Sequence, residues 1–266
     1  MKINNQVASK NLSNNLNHIN KNHQNNMKKM SSGKKINSSK DDPAGLAIAS
    51  NLESLVKQLD KANGNILYSN SALNVADGAL QTIGDSLQRI KELGTTAKSG
   101  LLNDSDRQMI QEEINEMLSS IDDTAKNAQF NEKNLLDGSF QNINVGNTAD
   151  GADTEISIDS ATLDALGIAG FSVTDGNIDL SQIDKALDLV NSSRAKIGAK
   201  SNMLDYEFNS NSNTALNTLS SKSKIEDADM AKLSIDENIH KALSQYNIFI
   251  AKNKQTKEAN MLNLLF

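Results

Sequence analysis

One pattern limits what this chain can fold into more than any other. Starting at Leu52 and stepping alternately three and four residues, the positions are Leu52, Leu55, Leu59, Ala62, Ile66, Ser69, Leu73, Ala76, Leu80, Ile83, Leu87 and Ile90, and eleven of the twelve are apolar. An apolar seam of two positions per heptad, held this long, is the mark of a coiled coil; a helix lying on a compact domain shows a wider apolar face. Gly64, Gly78 and Gly84 lower the local helix propensity without shifting the register. At a rise of 1.5 Å per residue, a helix from Pro43 to about residue 98 is roughly 80 Å long. The sequence therefore predicts a rod.

The start of that helix is written in Asp41-Asp42-Pro43, which holds the one proline of the 266 residues. Proline is tolerated at the first helical position, where its missing N–H has no intrahelical partner to lose. Asp42 is placed to cap the free amides of the first turn and to complement the positive end of the dipole. Two adjacent carboxylates can also serve acid–base chemistry, but no histidine, cysteine or metal-ligand spacing accompanies them here.

Two further seams follow. After "SGLLNDSDRQ" breaks the first, Asp104 is the expected cap of a helix with Ile110, Ile114, Met117 and Ile121 along one side. The third runs through Ile183, Leu187, Val190, Ile197, Leu204, Phe208, Ala215 and Leu219, interrupted by Arg194, Ser201 and Asn211. Three long seams of one period indicate an antiparallel helical bundle. Between Phe130 and about residue 173 the character changes. "LLDGSF" carries a turn signature at Asp137-Gly138 and "EISID" alternates apolar with polar, so one or two β-hairpins are expected there.

Composition narrows the function classes. There is no cysteine and no tryptophan, and aromatics make up 3%. Disulfides, thiolate catalysis and cysteine metal sites are thereby excluded, and the apolar content of Leu, Ile and Ala suits helices rather than an aromatic-centred enzyme core. No stretch reaches the roughly 20 apolar residues of a membrane span. "MKINNQVASKNLSNNLNHIN" has no apolar core of a secretory signal, so export needs another route. Residues 1–40 carry +8 and the remainder −14, for a net −6. That basic arm contains no arginine and is rich in asparagine, which points to an acidic protein surface rather than nucleic acid. Both ends are weakly amphipathic: Ile3, Val7, Leu12, Leu16, Ile19, Met27 and Met30 at one, Leu233, Ile235, Ile239, Leu243, Tyr246, Phe249 and Ile250 at the other. Ordering each terminal residue costs about 1–2 kcal/mol of backbone entropy. The ends are thus expected to be disordered alone and to fold against neighbouring copies.

Four segments now carry a resemblance: "MSSGKKINSSKDDPAGLAIAS" (Met30–Ser50), "FNEKNLLDG" (Phe130–Gly138), "SKSKIEDADMAKLS" (Ser221–Ser234) and "NMLNLLF" (Asn260–Phe266). In this order they resemble bacterial flagellin, in a short form without large variable outer domains. Lys34 and Lys35 depart from it, standing where an apolar residue and an arginine are common. The resemblance implies a mainly α fold, with a long antiparallel coiled-coil rod, a small β-hairpin region and a two-helix terminal coiled coil. Its expected divisions are 1–42 and 226–266 (terminal domain), 43–129 and 179–225 (rod helices) and 130–178 (hairpins and loops).

The function so implied is a structural subunit polymerising into the flagellar filament, exported through the type III channel, with no enzymatic activity, cofactor or metal. Alternatives are a hook–filament junction protein of the same family and a secreted monomer acting on host receptors. Expected partners are further copies of the chain, the flagellin export chaperone, the junction and cap proteins and Toll-like receptor 5; no nucleic acid and no membrane are expected. "LQRIKEL" resembles the receptor-read stretch, which assigns receptor contact to Arg89, Leu93 and Glu113. The last helix resembles the chaperone-bound segment, which assigns Ile239, Leu243, Tyr246, Ile250, Leu262, Leu265 and Phe266 to chaperone binding and filament-core packing. "IEDAD" (Ile225–Asp229) lacks the glycine and distal glutamate of a calcium loop and reads as a helix boundary with capping acids.

Overall fold

The structure, a computed structural model, describes residues 2–148, 153–174 and 178–263. Six helices and two small strand pairs occur among them, in the order α1 (Lys2–Ser32), α2 (Pro43–Ala97), α3 (Asp104–Asn127), β1 (Gln129–Phe130), β2 (Lys133–Asn134), β3 (Ile143–Gly146), β4 (Asp153–Ile156), α4 (Leu163–Leu166), α5 (Ser181–Glu226) and α6 (Met230–Asn263). The chain divides into two compact units, Met1–Ser54 with Asn217–Phe266 and Leu55–Leu216. The dividing points fall inside α2 and α5, so the terminal unit takes the first turns of one helix and the last turns of the other.

In the larger unit the heptad seam of α2 is the core. Leu59, Ala62, Ile66, Leu73, Ala76, Leu80, Ile83, Leu87 and Ile90 are all buried, and the same steps continue through the buried Gly94 and Ala97, with Leu93 buried beside them. From α3, Ile114, Leu118, Ile121 and Ala125 join this cluster, and from α5 so do Ile183, Ala186, Val190, Ile197 and Leu204. A second heptad row on α2 sets its register against α5. Asn63 donates to Ser212 at 3.2 Å, Asn70 to Asp205 at 2.8 Å, Asp77 accepts from Arg194 at 2.8 Å and Lys91 pairs with Asp184 at 2.6 Å. Rising numbers on α2 meet falling numbers on α5, so the pair is antiparallel. Arg194 and Ser201, which interrupt the third seam in the sequence, both meet α2, for Ser201 donates to Asn70 at 3.3 Å.

Several local expectations are corrected. Asn103, not Asp104, caps α3: its Oδ1 accepts from the Asp106 amide at 2.8 Å while Asp106 accepts from the Asn103 amide at 3.2 Å, a reciprocal capping box. The β1–β2 hairpin turns at Asn131 (φ 48°) and Glu132 (φ 64°), upstream of Asp137-Gly138. Two successive positive φ values match the right-handed twist of the flanking strands. Asp137-Gly138 makes a separate turn, where Asp137 accepts from the Ser139 amide at 2.8 Å and from Asn134 at 3.0 Å. Near the end of the third seam, Leu219 is half exposed and Thr218 is the buried residue. A Cβ at Gly94 would stand 2.6 Å from Leu180 Cδ2, so the Leu180 side chain would have to move to admit one.

The terminal unit pairs α1 with α6. The segments expected to be disordered in an isolated molecule are described as helices lying on one another. Their adjoining ends are tied by a short antiparallel bridge. Lys34 opposes Asp227, the Lys35 amide donates to the Glu226 carbonyl at 2.8 Å, and the Ala228 amide donates to the Gly33 carbonyl at 2.9 Å. Since the end of α1 meets the start of α6, the two helices run antiparallel.

Candidate functional site

The turn leading into α2 is built from its two aspartates. Asp41 Oδ2 accepts from the amides of Asn37 and Ser38, both at 3.0 Å. The Asn37 amide and then the Ser38 hydroxyl hold its carboxyl below the usual carboxylate value. Asp42 Oδ1 accepts from the Gly45 amide at 3.0 Å, and α2 begins at Pro43. Gly45 has to be small. A Cβ there would lie 2.4 Å from Asp42 Oδ2 and 2.8 Å from Cδ1 of the buried Ile36.

The acids of "IEDAD" are spent on the same junction. Glu226 is buried and accepts from Lys34 at 2.5 Å and Lys222 at 3.5 Å, with Lys222 also 2.9 Å from Glu53. Asp229 Oδ1 accepts from the Lys232 amide at 3.0 Å, capping α6. No set of three metal-ligating side chains comes together among the described residues.

The seam between α1 and α6 is unlike the seams of the larger unit. At the heptad positions the less exposed residues of α1 are Leu12, Leu16, Ile19, His23, Asn26 and Met30 and those of α6 are Leu233, Glu237, His240, Ser244, Asn247, Ala251 and Lys254, with the half-buried Lys29, Asp236 and Ile250 flanking these rows. Both sets follow the heptad step, yet the α6 set is mostly polar. Two turns into α6 the Glu237 side chain is 5% exposed, with both carboxylate oxygens 2.8 Å from Nδ1 of the half-exposed His23. The hydrogen bond is aligned on Oε2, and Oε1 also faces Lys241 at 3.3 Å. Burial pushes this carboxyl up, but His23 and Lys241 outweigh it and hold it below the ordinary value. A hydrophobicity scan passes over these residues; stepping the heptad back and forth from Leu233 finds them.

A second apolar set of α6 lies away from the seam. Ile235, Ile239, Leu243, Tyr246 and Phe249 are exposed and Ile250 is half-buried. At about 100° per residue this stripe is centred roughly 130° around the helix from the seam. Of the other expected contact residues, Leu265 and Phe266 lie outside the described residues, as does the side chain of Leu262.

In the larger unit, Arg89 and Glu113 come together on the surface. Arg89 Nη2 donates to Glu113 Oε1 at 3.0 Å and Nη1 to Glu92 Oε2 at 3.2 Å. Glu113 and then Glu92 push the guanidinium further toward its charged form. Leu93, expected beside them as a contact, is 7% exposed and belongs to the core.

Comparison with known proteins matches two family models. Residues 3–141 match the bacterial flagellin N-terminal helical region, and residues 180–265 match the bacterial flagellin C-terminal helical region. The chain is 32% identical to a flagellin of Bacillus subtilis with both proteins covered in full, and 30% identical to a flagellar filament core protein of Brachyspira hyodysenteriae, again over the whole of both. Among solved structures, the crystal structure of Bacillus cereus flagellin superposes with a TM-score of 0.51 at 24% identity, covering 56% of this chain and 88% of that one. A hook-associated protein of Vibrio parahaemolyticus superposes with a TM-score of 0.60 at 19% identity, covering 70% of this chain and all of that one.

Proposed function

We propose, on the footing that this chain belongs to the bacterial flagellin family, that its terminal helix pair is the surface through which it polymerises. The protein is a structural subunit of the flagellar filament. One observation carries the proposal: the α6 side of its seam with α1 is mostly polar, while Ile235, Ile239, Leu243, Tyr246 and Phe249 are turned outward. Exposed apolar stripes of this length on soluble proteins mark contact surfaces. Burying the stripe against neighbouring copies offsets the cost of ordering the ends. Repetition by helical symmetry then multiplies many weak contacts.

Before assembly the same stripe needs a cover. An export chaperone offering a groove to an amphipathic helix meets that need, and export through the type III channel belongs to the same reading. The junction and cap proteins of the flagellum meet the terminal unit in the same way. The role is mechanical, without catalysis. Ile239→Asp, Leu243→Asp and Phe249→Asp test the surface. Each places a charge on an exposed position, so the monomer keeps its helical circular dichroism while sedimentation and electron microscopy show no filaments. Filaments of normal length and yield from all three variants would remove the stripe from the interface.

A second reading, recognition by Toll-like receptor 5, is supported by the surface pairing of Arg89 with Glu113. An arginine of this kind, freed from its internal partner, is a common anchor in interfaces. Leu93 supports the patch from beneath. Loss of receptor signalling by soluble Arg89→Ala, with polymerisation intact, separates this role from assembly.

A further inference from the structure

We infer that Gly146 and Asn147, at the end of β3, form a strap across α2 and α5. The strap closes the apolar core of the larger unit where α2 enters it and α5 leaves it, and so stops loosening of those helices from running into the core. The inference concerns the larger unit alone and stands whether or not the chain polymerises.

The core has an edge here. Its continuous apolar cluster begins at Ile66 on α2 and ends at Leu204 on α5, with Phe208 half-buried against it. Stepping the heptad on from Leu204 reaches Glu207 and Asn211, polar residues at seam positions. Both are taken up by the hairpin. Glu207 Oε2 accepts from Asn147 Nδ2, and Asn211 Nδ2 donates to the Asn147 carbonyl at 2.7 Å. From the other helix, Asn65 Nδ2 donates to the Gly146 carbonyl at 2.9 Å. Asn63 meets Ser212 and Asn70 meets Asp205, so Asn65 and Asn211 stand level across the antiparallel pair. Two consecutive carbonyls of the hairpin thus take one donor from each helix. Apolar contact seats the hairpin itself, for Ile156 lies in the core cluster and Val145 packs against it. Asn147 is 1% exposed, and its Nδ2 also donates to Thr154 at 2.6 Å. A buried amide satisfied on several sides is held in one arrangement, and losing it leaves its partners unpaired. Beyond the strap the helix pair is less well closed. Leu59 and Ala62 are buried there but lie outside the continuous cluster, Leu216 is exposed, and Asn63 Oδ1 is buried with no hydrogen-bond partner among the described residues. Both helices continue past this point toward the chain ends, and segments with few buried apolar contacts open at low cost. With the strap in place, opening halts at Asn65 and Asn211; without it, opening reaches Ile66 and Leu204.

Hydrogen exchange on dilute full-length protein reads where opening stops. Asn147→Ala removes the buried amide. Asn65→Ala combined with Asn211→Ala removes the two donors instead and leaves that amide in place, so the test stays decisive where Asn147→Ala does not fold. The double variant also raises helix propensity at both sites, and helix propensity alone predicts slower exchange. The strap predicts the reverse. Amides of residues 66–69 and 201–204 should exchange at least about tenfold faster than in the native chain, while residues 80–90 and 186–197 keep their native rates. Lys200→Ala is the control. It removes a different tie to the hairpin, from Lys200 Nζ to the Glu155 carbonyl at 3.0 Å, which lies inside the span of the core. It should leave exchange at 66–69 unchanged. Native rates at 66–69 and 201–204 in the double variant overturn the inference. So does acceleration spread evenly over 80–90 and 186–197, for the strap would then add to global stability without marking an edge. An equal acceleration at 66–69 in Lys200→Ala overturns it as well, for any tie to the hairpin would then serve.

Discussion

Replacing a helical glycine by alanine ordinarily stabilises a helix by about 1 kcal/mol, and α2 should show both signs of that substitution. At Gly64 an added Cβ meets nothing within 4 Å. Gly64→Ala is expected to stabilise by about 0.5–1 kcal/mol. At Gly45 the same methyl would sit 2.4 Å from Asp42 Oδ2 and 2.8 Å from Ile36 Cδ1. Neither neighbour yields cheaply. Asp42 is held by its bond to the amide of residue 45, and Ile36 is 4% exposed. Losing the cap costs about 0.5–2 kcal/mol, and crowding a packed side chain about 1–3 kcal/mol. Set against the propensity gain, Gly45→Ala is expected to destabilise by roughly 1–3 kcal/mol. Urea unfolding followed at 222 nm gives the signs, and hydrogen exchange at the amide of residue 45 gives the local effect, with protection lost in Gly45→Ala. Stabilisation by both substitutions would refute the reading of Asp42 and Gly45 as one packed cap.

Truncating Leu80, which is fully buried in the α2 seam, should cost about 2–5 kcal/mol, whereas Leu67→Ala, at 55% exposure, should stay within about 0.5 kcal/mol; urea midpoints measure both. Arg194→Ala removes the bidentate pair with Asp77, and because that pair is more than one-third exposed the loss should be at most about 1 kcal/mol and should shrink in high salt. Asp41, Asp137, Asp159, Asp179 and Glu237 are all held below their ordinary carboxylate values. Their folded forms therefore bind protons less readily than the unfolded chain. Their stabilisation is complete above the unfolded value of about 4 and is lost as pH falls through the folded ones. Urea midpoints measured from pH 6 to pH 2.5 should hold steady and then drop, and a rise on acidification would contradict the assignment.

What could be read from the residues alone was whatever a single helix dictates to itself. The seam from Leu59 to Ile90 is buried as spaced, because heptad periodicity is a one-dimensional property and a strip of leucine and isoleucine needs a partner whatever that partner is. The start of α2 at Pro43 belongs to the same class, since a cap is made within a few residues of chain. The choice between near-equal neighbours was less legible. Asn103 and Asp104 can both cap, and backbone geometry gave the role to Asn103; Thr218 and Leu219 both border the seam, and the turn of α5 buried the threonine. The β1–β2 turn carries no glycine, so Asn131 and Glu132 left no turn signal, while Asp137-Gly138 left one for a different turn.

Tertiary structure alone decided which interruptions were partners. Arg194 looks like a break in a seam until Asp77 stands opposite it, and Glu237 looks like an ordinary surface acid until α1 brings His23 to 2.8 Å. The amino-acid order by itself determined that there would be long helices with apolar strips and that the two ends would carry helical stripes of their own. It could not say which side of α6 faces α1. That depends on which side chains a second helix brings opposite it, as α1 brings His23 to Glu237, and a single strand of residues does not hold that information.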